Sequence, residues 1–427
     1  MFVELGVIGI LKYAHDKYKN LDLYCMKREI KKILQDSKLD YYTVMEVKRS
    51  LPWGYEVVIS LNGKGFTELE TVKENIETKL GYETHIEQNN NLKTATIKII
   101  VLPVTEDTKF QPYETKQYEI YCSLSQTMQA LVVNLKKFPH VLVSGQTGCG
   151  KTEEIRLILT NLINNHNSRD INIFFSELSG MDDYSIFQEC KQVKGYAKDI
   201  RESEKLFIYM MHLYAKRLEI FIRNGCKNIS EYNEKFYQRR MSYDYIVMDE
   251  MADYFPVKTD EDYQLKENVY NMLRHAIRKF RKVGIFLIIG IQRPDTTVLD
   301  PSLKSGLCTK IGFSQNNDAS SLVVADTNEL TNIENRKALL MYGNQKQWFK
   351  SLYLDDKLIN KYIKDSIVKD RTKQKDYNKF LVEKEVPKEP NKNKEITKVS
   401  EVASTSDENQ KVIPYKVRLK NNAIKKG

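Results

Sequence analysis

No two cysteines in the sequence stand at CxxC spacing. Cys25, Cys122, Cys149, Cys190, Cys226 and Cys308 are scattered along the chain, and no histidine cluster accompanies them. Neither a zinc module nor a disulfide framework is suggested, so a reducing, intracellular compartment is the simpler expectation. Nor does any apolar run reach the roughly 20 residues needed to cross a bilayer. The stretch 1–14 is apolar only briefly (Val3, Leu5, Val7, Ile8, Ile10, Leu11) and lacks the basic start of a signal peptide. It reads as an amphipathic first helix. Positive charge is also scarce over most of the chain. The net charge is +10, but from Lys361 onward 18 Lys and Arg stand against 10 Asp and Glu, leaving only about +2 for everything before. A polyanion would have to be met by local basic loops, with the tail as an electrostatic tether.

The chain has 427 residues, enough for two or three domains. Hydrophobic residues make up 41% and aromatics 10%, so a sizeable core can be buried. The mean hydropathy of −0.51 is that of a soluble protein. Residues 1–50 read as a polar-rich helical segment with Lys27, Arg28, Lys31 and Lys32 in one basic run. Residues 51–117 read as a small α+β module: a strand at 55–61, a turn at Asn62-Gly63-Lys64-Gly65, a helix at 66–80, then strands at 82–86 and 94–102. From 118 to 360, continuous apolar runs alternate with amphipathic helices. The runs are 141–144, 171–175, 245–248, 285–291 and 310–313. Such runs suit parallel strands buried on both faces, and right-handed crossovers between them give an α/β doubly wound parallel sheet. Residues 361–427 form a Lys-rich tail. Beyond Asp370 too few large apolar residues remain to build a core, so disorder is expected there.

One motif carries phosphate chemistry. After the apolar run ending at Ser144 comes Gly145-Gln146-Thr147-Gly148-Cys149-Gly150-Lys151-Thr152, the GxxxxGK[ST] pattern, and a helical pattern follows. The glycines let the backbone turn so that successive N–H groups face β- and γ-phosphates, and the positive helix end adds to the attraction. Lys151 supplies a charge to the β/γ oxygens and Thr152 a hydroxyl for Mg²⁺. Cys149 is a small filler. The expected ligands are ATP and Mg²⁺, on a RecA-like P-loop NTPase fold.

A second apolar run, 245–248, ends in Asp249-Glu250. Asp249 at a buried strand's tip is placed to hold metal-bound water near Thr152, and Glu250 to polarise the attacking water as general base. The run 285–291 ends in Gln292, a candidate γ-phosphate sensor. Arg274, Arg278 and Arg281 recur at i, i+4 and i+7 of a helical pattern over 265–282. They share one face, which could offer an arginine to a neighbouring subunit's ATP.

These motifs in order resemble the FtsK/SpoIIIE DNA translocases. The likeness is carried by Phe138-Pro-His-Val-Leu-Val-Ser-Gly-Gln-Thr-Gly-Cys-Gly-Lys-Thr152, by Asn224-Gly-Cys-Lys-Asn-Ile-Ser-Glu-Tyr-Asn-Glu-Lys235, by Asp249-Glu-Met-Ala-Asp253 and by Arg281-Lys-Val-Gly-Ile-Phe-Leu-Ile-Ile-Gly-Ile-Gln-Arg-Pro294. It spans residues 55–342. The resemblance implies a homo-oligomeric, hexameric ring that pumps double-stranded DNA by ATP hydrolysis, with residues 55–102 in an adaptor domain stacked on the motor. It puts Arg281 on a family arginine and Lys310 where the family has arginine, although lysine lacks the planar fork. Residues 316–321 fall on a DNA-contacting loop without its usual basic residue. Arg336 and Lys337 would supply that contact, to phosphates rather than bases.

The short format, with neither a multi-span membrane domain nor a winged-helix domain, is similar to the FtsK-like coupling proteins of Gram-positive conjugative plasmids and integrative elements. That implies a cytoplasmic motor, brought to the membrane by a partner and serving conjugation or plasmid or chromosome movement. Relaxase or membrane transfer-channel proteins would be further partners. Two other readings stay open: an ATPase moving protein or phage DNA in secretion or packaging, and a non-motor DNA-binding adaptor that uses ATP only to assemble.

Overall fold

The structure, a computed structural model, describes residues 23–105, 107–368 and 377–381. The helix expected within 1–14 lies outside these residues.

A small module with its own hydrophobic core comes first. Helix α1 (Leu23–Asp36) buries Met26, Ile30, Ile33 and Leu34, an i, i+4, i+7, i+8 stripe. Strands β1 (Thr43–Ser50), β2 (Gly54–Ser60), β3 (Glu83–Gln88) and β4 (Thr94–Ile100) form an antiparallel sheet in the order β1-β2-β4-β3. Alternation sets its inner face: Tyr55, Val57 and Ile59 of β2 and Ala95, Ile97 and Ile99 of β4 are fully buried. The helix expected over 66–80 is two shorter ones, α2 (Phe66–Glu70) and α3 (Lys73–Leu80). The boundary expected at residue 51 also moves. Residues 43–50 form β1, paired with β2 from Thr43↔Ser60 to Ser50↔Gly54, so the module includes β1 and α1. Glu46, Lys48 and Arg49 of this edge strand are all exposed, and these charges make a strand read as polar and helical in sequence.

The larger body has a separate core. Its sheet has eight strands in the order β14-β13-β12-β7-β11-β10-β8-β9. These are β7 (Val141–Ser144), β8 (Ile171–Ser176), β9 (Val193–Ala197), β10 (Tyr243–Met248), β11 (Ile285–Ile291), β12 (Thr309–Gly312), β13 (Lys337–Tyr342) and β14 (Gln345–Lys350). The accompanying helices are α4 (Lys151–Asn165), α5 (Ile200–Arg223), α6 (Ile229–Lys235), α7 (Tyr263–Lys279), α8 (Pro301–Gly306), α9 (Asp318–Ala325) and α10 (Asp356–Ile363). The five apolar runs fall on β7, β8, β10, β11 and β12, which run parallel. Every residue of β7, β10 and β11 is buried, as strands covered on both faces require. The order sets β7 between β12 and β11, and β10 beside β11. The tips of the phosphate-loop strand and the acidic strand therefore open on one end of the sheet.

The parallel core expected from the runs carries an antiparallel edge. β13 pairs antiparallel with β12, and β14 with β13, closing one side with a hairpin. β14 shows why this edge is illegible in sequence. It reads Gln-Lys-Gln-Trp-Phe-Lys, with only Phe349 fully covered. A further hairpin, β5 (Glu119–Leu124) with β6 (Ala130–Asn134), packs near that edge, where Ser123 Oγ donates to the Lys350 carbonyl at 2.8 Å. The Pro-His pair before β7 also has a structural task. His140 is fully buried, its Nδ1 accepts from the Leu287 N–H at 3.1 Å, and its carbonyl accepts from the Thr309 N–H. One residue thus ties the start of β7 to β11 and β12. Burial pushes its pKa down to about 3, so it is neutral.

The folded body extends past Lys361, where the tail was expected to begin. Helix α10 runs through that position, with Ile359 and Ile363 fully buried. The Ser366 carbonyl accepts from the Lys191 N–H, and Asn378 Oδ1 accepts from the Tyr196 N–H at 2.8 Å. Phe380 packs where a side chain on Gly195 would stand, 2.4 Å from its ring. A few well-placed apolar residues suffice here, which average composition conceals.

Candidate nucleotide and hydrolysis site

The phosphate loop is shaped by its glycines. Gly148 and Gly150 have φ of 78° and 112°, values that other residues rarely adopt. Gly150 caps helix α4. The loop is held from both neighbouring strands: the Gln146 N–H donates to the Ser314 carbonyl at 3.0 Å, and the Gly145 N–H to the Ile291 carbonyl at 3.2 Å. Cys149 is buried under Gly145, where a side chain on the glycine would meet its sulfur at 2.3 Å. Burial raises its thiol pKa to about 11, so it stays protonated and acts as filler.

Lys151 reaches from the loop to the acidic strand. Its Nζ donates to the Asp249 carbonyl at 3.0 Å and stands 3.7 Å from Glu250 Oε2. Gly290 makes this approach possible, since a Cβ there would lie 2.0 Å from the Asp249 carbonyl oxygen and 3.1 Å from Lys151 Nζ. Glu250 Oε2 accepts from the Gln292 N–H at 2.8 Å, and Gln292 Oε1 accepts from Thr147 Oγ1 at 3.1 Å. Glu250, Gln292 and the loop are therefore linked by direct hydrogen bonds. Burial raises the Glu250 carboxyl to about 7, against the pull of Lys151 and two backbone N–H groups.

The residues fit a magnesium-bound nucleotide. Asp249 is 5% exposed and its Oδ1 has no hydrogen-bond partner among the described residues, while Oδ2 accepts from the Ser179 N–H at 3.3 Å. A buried carboxylate oxygen without a donor suits a cation or its bound water. Thr152, at the start of α4, is the second candidate oxygen. Further carboxylates gather here, of which only Asp253 falls within a quoted motif. Asp183 and Asp253 both feel the charge of Asp249, and burial is the main cause that raises each. Buried Glu177 accepts from the Asp183 N–H at 2.8 Å and from the Tyr196 hydroxyl. Only the adjacency of Glu177 to the end of β8 could have signalled it.

The remaining expected residues lie elsewhere. Arg281 is exposed in the turn Phe280–Val283 before β11, at the opposite end of that strand from Gln292. Arg274 pairs with Asp300 at 2.5 Å, and Arg278 donates to Ser302 Oγ at 3.2 Å. Lys310 is half-buried in β12, where burial and Lys304 lower its pKa. Lys337 stands over the Trp348 ring at 5.5 Å and lines a 360 Å³ cavity that Glu83 of the small module also lines. Arg336 adjoins the phosphate loop. Its backbone N–H donates to the Cys149 carbonyl at 3.1 Å, its φ is 62°, and its Nη2 donates to the Leu352 carbonyl at 2.6 Å. Nearby Glu154, fully buried, accepts from Ser351 Oγ at 2.6 Å. Sequence reasoning misses Glu154 and Ser351, which no motif marks, and the role of Gly290, which stands inside the quoted 281–294 motif without being singled out.

Comparison with known proteins agrees with the motifs. Residues 103–296 match the FtsK/SpoIIIE family. The DNA translocase SftA of Bacillus subtilis (strain 168) is 24% identical over 200 residues, 46% of this chain and 20% of that protein. The DNA translocase FtsK of Bacillus cereus is 20% identical over 352 residues, 76% of this chain and 42% of that one. The chain thus spans under half the length of these curated relatives. Among solved structures, the pCW3 conjugation coupling protein TcpA with ATPγS superposes with a TM-score of 0.57 at 21% identity, covering 79% of this chain and 98% of that one. The cytoplasmic domain of the Type VII secretion ATPase EccC from Thermomonospora curvata gives 0.52 at 18% identity, covering 60% of this chain and 32% of that one. The last two likenesses show the fold. The FtsK/SpoIIIE resemblance and the P-loop ATPase fold read from the motifs are borne out.

Proposed function

We propose, from the FtsK/SpoIIIE domain at residues 103–296, that the chain is an ATP-driven translocase of double-stranded DNA, acting as a homo-oligomeric, six-membered ring in DNA transfer. The observation that carries this is the convergence of Lys151, Asp249, Glu250 and Gln292 on one end of the sheet within that domain. A protein that used ATP only as an assembly switch would not need a base so placed. Bound Mg²⁺ would neutralise charge on the β- and γ-phosphates, held through Thr152 and Asp249. Lys151 would bind the γ-phosphate oxygens, Glu250 would take the proton of the attacking water, and Gln292 would hold Glu250 in place through its N–H. DNA as cargo is favoured by the named relatives, which are DNA translocases and a conjugation coupling protein.

The test is ATP turnover with and without duplex DNA, beside a mass measurement in ATP. Several-fold stimulation by duplex and a nucleotide-dependent oligomer are expected. Turnover indifferent to duplex but raised by a protein substrate would favour the secretion reading instead, whose fold neighbour is EccC.

A pH dependence follows from Glu250. As a base it must be ionised, and its pKa is raised to about 7. The ionised fraction grows as pH rises through that value. ATP kcat/KM is expected to rise through about pH 7, where it is half-maximal, and to level about one unit above it. A profile flat from about pH 5.5 to about 8 would argue against this base.

A further inference from the structure

The longest helix among the described residues, α5, has 24 residues and two apolar faces. Leu206, Phe207, Met210 and Phe221 are buried in the core of the larger body. A second stripe, Ile208, Met211, Ala215, Leu218 and Ile222, runs beside that face at alternating spacings of three and four. That is the heptad spacing by which one helix packs along another. Met211 and Leu218 are partly buried against the core, whereas Ile208 is 40% and Ile222 78% exposed and Ala215 is exposed. Ile222 is among the most exposed large apolar side chains of the described residues.

The charges beside the stripe select the occupant. Lys205, His212 and Glu219 follow one another at intervals of seven along its outer side, all three exposed. A parallel two-fold copy would put this charged row on opposite sides of the seam in the two chains, facing the second copy's Phe207, Tyr214 and Phe221, which its own core already holds. An antiparallel copy sets each Lys205 opposite Glu219 of the other chain, with His212 near the axis. Ile208 then meets Leu218 of the second copy and Met211 meets Ala215. Ile222 covers the aliphatic stem of Lys205 at each end. Glu219 is already paired with Arg223 one turn on, but an exposed pair of that kind holds it only weakly.

We propose that this stripe is a self-complementary docking surface, through which two copies of the chain pair antiparallel along α5. The contact is two-fold and isologous, whereas a ring closes through head-to-tail contacts. This pairing is therefore separate from ring assembly and does not rest on the DNA reading. One helix pair offers less than the roughly 800 Å² per partner of a stable interface, so the dimer is weak and is sought at about 100 μM chain.

Sedimentation equilibrium of the full chain without nucleotide tests this. A monomer–dimer equilibrium is expected, abolished by Ile222→Glu together with Ile208→Glu. Lys205→Glu alone should weaken it about tenfold, and Lys205→Glu with Glu219→Lys should restore it. All these positions face solvent, so melting temperatures report that the variants fold. A chain that stays monomeric at about 100 μM, or a dimer indifferent to the charge reversal and its repair, overturns the proposal. So does a monomer in which Ile208 and Ile222 resist hydroxyl-radical labelling, because its own chain then covers the stripe.

Discussion

Replacing Glu250 by glutamine is expected to lower ATP turnover by roughly 10²–10⁴-fold while leaving nucleotide affinity within a few-fold. Glutamine has the same shape, and its single oxygen can keep one of the two bonds that separate Glu250 oxygens now accept from the Gln292 and Ala252 N–H groups. It cannot take a proton from water. Lys151 retains the Asp249 carbonyl as a partner, so the phosphate loop should keep its form. Binding is followed by titration with a fluorescent ATP analogue and turnover by phosphate release. Hydrolysis at the wild-type rate would remove Glu250 as the base. Lost binding with lost turnover would instead make it a structural support of the loop.

The second large effect concerns stability. Arg217→Met is expected to reduce the unfolding free energy by about 3–5 kcal/mol. Arg217 Nη2 lies 2.6 Å from Asp244 Oδ2, and the two residues are 5% and 0% exposed. The arginine also donates to the Val283 carbonyl at 2.8 Å. Methionine fills the space but leaves Asp244 a buried carboxylate supported, among the described residues, by Asn172 and Ser242. Asp244→Asn in the same chain should recover much of the loss, since the uncompensated charge is then gone. Urea titrations of the wild type, the single and the double variant measure it. A single variant within about 1 kcal/mol of wild type would show that the pair is not the tie its geometry suggests.

What is legible in the sequence depends on how each feature is encoded. The phosphate loop, the acidic strand tip and Gln292 are readable because local patterns fix them: glycines where the backbone must turn, apolar runs where strands are buried on both faces. The outer strands β1 and β14 are not, because an edge strand is covered on one side and carries charge on the other. The family resemblance and their charge point Arg336 and Lys337 towards DNA. Arg336 also braces the phosphate loop through its backbone, an interaction that charge does not reveal. Gly290 escapes for the opposite reason, since its role is to have no side chain between Asp249 and Lys151.

Arg336 and Lys337 are consecutive. The first hydrogen bonds the Cys149 carbonyl of the loop, and the second lines the cavity shared with Glu83 of the small module. Neighbouring Cα atoms are fixed about 3.8 Å apart by the peptide bond. The contact that braces the loop and the contact that lines the joint are therefore one peptide unit apart, so a substitution at either position falls beside the other.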